Sequence, residues 1–212
     1  MSNRLQSHFF WGPHAPLSSL SGVGLIIMAS SRLAYAIFCA GAIIWVYGLS
    51  TLIFYSLKNC QPQKGKAVVV LFLTSVVLSI YVLLIGLINP LLIAATWFMV
   101  LFVCPCCAGS GLFEEKDTDT ADMLAQVLME AMVLSGLIIV ISLIREPIGL
   151  GTLSFPGGAS GIFELFGSGE GAEGFFPVYF LSIAAGGFLL LGAITAVFRN
   201  YRGQNYGSEG DL

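Results

Sequence analysis

The stretch AVVVLFLTSVVLSIYVLLIGL, residues Ala67 to Leu87, holds no charged residue in twenty-one positions. A helix crosses the hydrocarbon core of a bilayer with about 20 consecutive apolar residues, so this run reads as a transmembrane helix. Asn89-Pro90 follows it, and proline disfavours helical backbone in the residue before it. The pair therefore reads as a tight connection into a further segment.

Working outward, the same pattern recurs. Toward the N-terminus, the polar turn from Gln61 to Lys66 separates this run from a full span, Leu33 to Leu57. Before that lies LSSLSGVGLIIMAS, Leu17 to Ser30, closed by Arg32 and too short to cross as one straight helix. Toward the C-terminus, Leu91 to Phe113 is interrupted by Cys104-Pro105-Cys106-Cys107-Ala108-Gly109. An acidic turn, Glu114 to Asp119, leads to a fifth span, Met123 to Ile144. A glycine-rich loop from Arg145 to Phe175 precedes the sixth, Phe176 to Phe198.

Composition agrees. Of the 212 residues 57% are hydrophobic and 10% charged, with a mean hydropathy of +0.89. A soluble domain carries about 25% charged residues, so a soluble enzyme, a nucleic-acid binder and a disordered chain are all poor fits. Arg4, Phe9, Phe10, Trp11, Gly12, Pro13 and His14 form no compact apolar run with a cleavage site, so the first segment is expected to be retained. The five cysteines are not spaced as an extracellular disulfide framework.

The expected fold is all-α: a single membrane domain, 1–212, of six transmembrane helices. It divides at Asn89-Pro90 into two inverted three-helix repeats, about 16–88 and 90–199, with broken first and fourth helices and a cytoplasmic tail, 200–212. Matched interruptions in inverted repeats point to a site near the bilayer midplane; glycines also serve close helix packing, without any site. Lys and Arg in short loops mark the cytoplasmic side. With both termini inside, Arg4, Lys58, Lys64, Lys66, Lys116, Arg199 and Arg202 lie inside, and Arg32 and Arg145 outside, seven against two.

Glu130 is the one carboxylate placed within an otherwise apolar span. Ionisable groups there are costly and often mark ion paths, but an isolated one favours a structural or inter-subunit role. Arg145-Glu146 reads as an ion pair capping the fifth helix, with Pro147 stopping it just after. Pro105 is expected to keep the cysteine segment out of regular helix, aiming several thiols at one point. Asp117, Asp119 and Asp122 lack the calcium-loop pattern and read as a solvated turn. His8 and His14 sit on an interfacial aromatic arm. There is no Ser/His/Asp arrangement, phosphate loop or zinc spacing.

Ser142 to Leu153, SLIREPIGLGTL, resembles the signature at the end of the fifth span in the Rnf/Nqr membrane-subunit family, RnfE/NqrD type. That signature is Arg-Glu, two residues, Gly, one residue, Gly, then usually Thr-Leu or Lys-Leu. Cys104 precedes Arg145 by 41 residues, with Gly109 and Phe113 between them, as in the family. The resemblance covers about residues 20–200. It implies an integral subunit, not catalytic alone, of an ion-translocating electron-transport complex in the cytoplasmic (inner) membrane, coupled to Na+ or H+ transport. Implied partners are a homologous six-helix subunit, other Rnf/Nqr-type subunits and the lipid bilayer, with no nucleic acid. The family shares a [2Fe-2S] cluster between the two homologous subunits, each giving two cysteines. Here Cys104 matches one ligand, but the first-half position is Gly24. Cys106 or Cys107 standing in, loss of the cluster, or compensation by another subunit all remain open. The alternative is a degenerate member acting as a stand-alone secondary transporter or structural membrane subunit. Cys39 and Cys60 read as packing and interfacial residues.

The topology has a direct check. In a chain whose native cysteines are replaced by alanine, Lys64→Cys is expected to react with impermeant thiol reagents only from the cytoplasmic side, and Gly158→Cys only from the outside. Labelling of both from one side would defeat the inverted arrangement.

Overall fold

A computed structural model describes residues 20–56, 66–109, 120–157, 161–166 and 179–207. The histidine-bearing arm, the polar turn after the second segment and the acidic turn at 114–119 lie outside them. The chain is mostly helical. Its helices are α1 (Leu20–Ala29), α2 (Leu33–Ser56), α3 (Lys66–Ile88), α4 (Pro90–Leu101), α5 (Val103–Ala108), α6 (Thr120–Leu150), α7 (Tyr179–Ser182) and α8 (Ala184–Gly207). Among the described residues, four stretches are long and apolar enough to cross a membrane: Leu33–Ser56, Lys66–Ile88, Pro90–Ala108 and Leu124–Leu150.

The core is built around α2, whose most extensive contact is with α6. Small residues let the two backbones approach, as they do between membrane helices. Ala34, Ala36, Ala40 and Ala42 on α2 and Ala131 and Ser135 on α6 are all buried. The Ser135 hydroxyl donates to the Ala40 carbonyl at 3.3 Å. By contrast α3, the most apolar segment, is mostly exposed, with Val68, Phe72, Leu83 and Leu87 on its surface. Exposed leucine and valine on a long helix are stable facing lipid.

α1 has 10 residues. At 1.5 Å per residue it spans about 15 Å, roughly half the hydrocarbon core, as its short apolar run predicts. At the other connection, Asn89 caps α4: its side chain accepts from the Leu92 N–H at 3.2 Å, and Pro90 takes the first helical position.

Several expectations are corrected. The fourth segment breaks at Phe102, before the cysteines, and Pro105 lies inside α5. In the first turn of a helix proline costs no internal bond. Its missing N–H instead leaves the Leu101 carbonyl without its usual donor, and the chain tightens there, with Phe102 N–H donating to Met99 O at 3.2 Å. Pro147 does not stop α6, which runs on to Leu150; one bond is lost a single turn before the end, and Gly151, at φ +67°, closes the helix as a left-handed cap. The sixth segment is not continuous but breaks at Ile183 between α7 and α8. The tail expected from residue 200 is helical to Gly207.

The fold is also not purely helical. The glycine-rich loop contains an antiparallel hairpin, β1 (Leu153–Pro156) and β2 (Ile162–Phe166), pairing Ser154 with Glu164 and Phe155 with Phe163. Alternating apolar residues on either side of Gly157 and Gly161 carried that signal. The hairpin is tied to two helix connections. Arg32 pairs with Glu164 at 3.3 Å, and the Asn89 amide donates to Gly161 O at 3.1 Å. Arg32, Asn89 and the hairpin therefore meet at one end of the helices.

The α7–α8 break depends on a missing side chain. A Cβ at Gly186 would lie 2.5 Å from Leu181 Cα and against the Phe180 carbonyl, whereas at Gly192 it would meet nothing within 4 Å. Gly186→Ala is expected to destabilise by about 2 kcal/mol through overpacking. Gly192→Ala, in open space on the same helix, is expected to stabilise by roughly 0.5 kcal/mol. Thermal unfolding in detergent reads both, and equal shifts would contradict the break geometry.

Candidate functional site

α6 carries Arg145 and Glu146 into the protein interior, 2% and 0% exposed. They do not pair with each other. The only ion pair among the described residues is Arg32 with Glu164. Arg145 instead spends its guanidinium on the ends of two interrupted segments. Nε donates to Leu181 O at 2.6 Å; one terminal nitrogen donates to Ile27 O at 2.7 Å and Ser30 Oγ at 3.0 Å; the other donates to Ser182 O and Ile183 O, both at 2.9 Å. A guanidinium has five N–H donors, and all five are used.

The acceptors explain why a cation is stable here. The last carbonyls of a helix have no internal partner and carry the negative end of its dipole. Ile27 is in the last turn of α1 and Leu181 and Ser182 end α7, whereas the Ile183 carbonyl also accepts from the Gly186 and Gly187 N–H groups. Glu146 does the opposite task. Its Oε2 accepts from the Leu33 N–H at 2.6 Å, at the first residue of α2, where donors are unpaired and the dipole is positive. Its Oε1 accepts from the Thr152 hydroxyl at 3.4 Å, and the Ser154 hydroxyl accepts from Ala34 N–H at 3.3 Å. Arginine holds helix ends and glutamate a helix start, across the Ser30–Arg32 break.

Three further positions of the Arg145 to Leu153 segment, Gly149, Gly151 and Thr152, serve the same arrangement. Gly149 lies one turn beyond Arg145, where a Cβ would sit 2.9 Å from Ser182 N; its absence lets α7 reach the guanidinium. Gly187 does the same from α8, since a Cβ there would lie 3.1 Å from the Arg145 guanidinium and 3.2 Å from Ile27. Gly151 ends α6, and Thr152 supports Glu146. The spacing made Arg145 and Glu146 legible, but their acceptors were not: the sixth segment reads as one apolar run. The Gly186-Gly187 pair inside it was the available sign of a break.

The cysteines do not converge. Cys104 lines a groove of about 380 Å3 with Ser75, Ser79, Trp97 and Leu101, and the Thr74 and Ser75 hydroxyls are hydrogen-bond neighbours of its thiol. Cys106 turns to the other side, where the Tyr47 hydroxyl donates to its sulfur at 3.6 Å. Cys107 is fully buried. Cys104 and Cys106 therefore face different helices, α3 and α2, while Cys107 lies within electrostatic reach of both. Gly24 does face the break in the second half, but a Cβ there would meet the Phe102 ring at 3.8 Å. Among the described residues no three His, Cys, Asp or Glu side chains are grouped to hold a metal ion. Among the described residues this chain does not by itself gather the four ligands that a [2Fe-2S] cluster takes.

No family model, curated protein or solved structure matches the chain.

Arg145→Ala removes the donors from five acceptors in a buried setting, and is expected to cost roughly 3–5 kcal/mol. Glu146→Gln keeps an acceptor but loses the charge, at about 1–2 kcal/mol. Unfolding of both variants in mixed micelles measures the two losses. A larger effect for Glu146→Gln would reverse the assignment of the main anchor.

Proposed function

We propose that this chain is an integral membrane subunit of an Rnf- or Nqr-like ion-translocating electron-transport complex, and is not catalytic alone. The observation that carries the reading is the buried Arg145-Glu146 pair. The segment that resembles the family signature is the one that clamps the interrupted helices, which supports reading it as that signature. The fold in this reading is six membrane segments in two inverted three-helix repeats, in the cytoplasmic membrane with both termini inside. Support comes from the half-length α1, from the break at Phe102 in the second half, and from the approach of Gly24 to that break.

In such a complex Cys104 is the thiol this chain offers to a [2Fe-2S] cluster shared with a homologous six-helix subunit. It lines a groove open at the surface, where a partner's ligands have access. A specific observation favours the second reading, a family member that kept the scaffold and lost the electron path: the opposing position is Gly24, with no donor atom, against an aromatic ring.

Purification in mild detergent separates the two. The first reading expects a homologous subunit and flavin-bearing partners to co-purify, with iron and a low-temperature EPR signal that Cys104→Ala removes. Unchanged iron and spectrum in that variant would sink Cys104 as a ligand. A monomer that moves solute in liposomes would sink the complex itself.

A further inference from the structure

Glu130 lies on α6 four turns before Arg145, and the clamp does not use it. Glu130 is half-buried, and its Oε2 atom is fully enclosed with no hydrogen-bond partner among the described residues. Burying an ionised carboxylate without a partner is so costly that the group neutralises instead, and in a membrane such residues mark functional sites by default. Its surroundings are specific. α2 and α6 run antiparallel, with Leu33 beside Glu146, Ala40 beside Ser135 and Gly48 beside Leu128. That register brings Tyr47 to the level of Glu130. Tyr47, Cys106 and Cys107 all lie within electrostatic reach of the Glu130 carboxyl.

Among the described residues, every titratable side chain there carries an exchangeable hydrogen and none is a cation. Tyr47 comes from α2, and Cys106 and Cys107 from α5. α1 and β1, which also pack on α6, hold no titratable residue, and α7 meets α6 at its Arg145 end. The side chains of Arg199 and Arg202 on α8 lie outside the described set. The Tyr47 hydroxyl is spent on the Cys106 sulfur at 3.6 Å, and a thiol is a weak acceptor. That hydroxyl is therefore available to turn to a stronger one.

We infer that Glu130, with Tyr47 and Cys106, forms a proton-binding site within the membrane-spanning bundle. In the loaded state Glu130 is a neutral acid and Tyr47 donates to Cys106. On release one proton leaves to water, one negative charge stays on Glu130, and the Tyr47 hydroxyl swings from sulfur to carboxylate. No other bond changes. The ligand is a proton rather than a metal ion because thiols are poor ligands for hard cations, which take oxygen. The inference rests on the packing of α2, α5 and α6, the unpartnered Glu130 oxygen and the Tyr47–Cys106 hydrogen bond, and holds whether or not the chain belongs to a redox complex.

Infrared spectroscopy of the full chain in phosphatidylcholine vesicles tests it. The expected result is a protonated-carboxyl C=O band that shifts in D2O, disappears reversibly as pH rises and is absent in Glu130→Gln. Tyr47→Phe removes the donor that stabilises the ionised form, so the band should persist to higher pH. Glu130→Asp should keep a titrating band at a shifted frequency, which covers a Gln variant that fails to fold. A band insensitive to D2O, or no band assignable to Glu130 at neutral pH, would overturn the site. Loss of the band on replacing choline by Na+ at constant pH and ionic strength would also overturn it, in favour of a cation site. An unchanged pH profile in Tyr47→Phe would remove the assigned switch.

Discussion

Five hydrogen bonds from one buried arginine hold two chain interruptions in place. A half-length helix inside a bilayer leaves its final carbonyls without water and without a helical partner, at several kcal/mol each. α1 ends this way at Ala29 and α7 at Ser182, and the Arg145 guanidinium answers both. Without it the Ile27, Leu181 and Ser182 carbonyls each lose a donor. Glu146 completes the arrangement at the start of α2. The usual objection to a buried cation, its desolvation, is met by dipoles that are already oriented, and no opposite charge is required. The glycines at 149, 186 and 187 serve the same constraint, since side chains there would push the acceptors out of reach.

How much of this was legible in the sequence varies with the physics of each part. The long spans were plain, because composition over about 20 residues is a strong signal. The short first segment and the interrupted fourth were also visible, as a length and a cluster of unusual residues. What composition cannot register is the direction of a hydrogen bond between residues 118 apart, such as Arg145 and Ile27. Arg145 and Glu146 therefore read as partners of each other, whereas each serves backbone from a distant element. Proline misled twice for one reason. Its cost depends on where it falls in a helix: Pro105 lies in a first turn, Pro147 in a last one, and both are tolerated there.

The cysteine segment shows the same limit. Three thiols in four residues look like a ligand set, but a helical turn spreads neighbours around its circumference. Cys104 goes to α3 and Cys106 to α2. Hydropathy has a comparable blind spot: it is highest for α3, the least buried of the four long spans. In a bilayer the most apolar helix marks the outer boundary of the protein, and the centre belongs to small residues such as those of α2.

The clamp also imposes an order on biogenesis. Residues 27 and 30 leave the ribosome long before Arg145, but residues 181 to 183 follow it by almost forty positions. Until they arrive, most of the guanidinium's donors have nothing to bind. The earlier helices can pair while the arginine is still only partly engaged, and α7, made after them, completes the clamp on α1. A chain truncated before residue 181 would therefore lose more than one helix; it would leave the Arg145 guanidinium without three of its five acceptors.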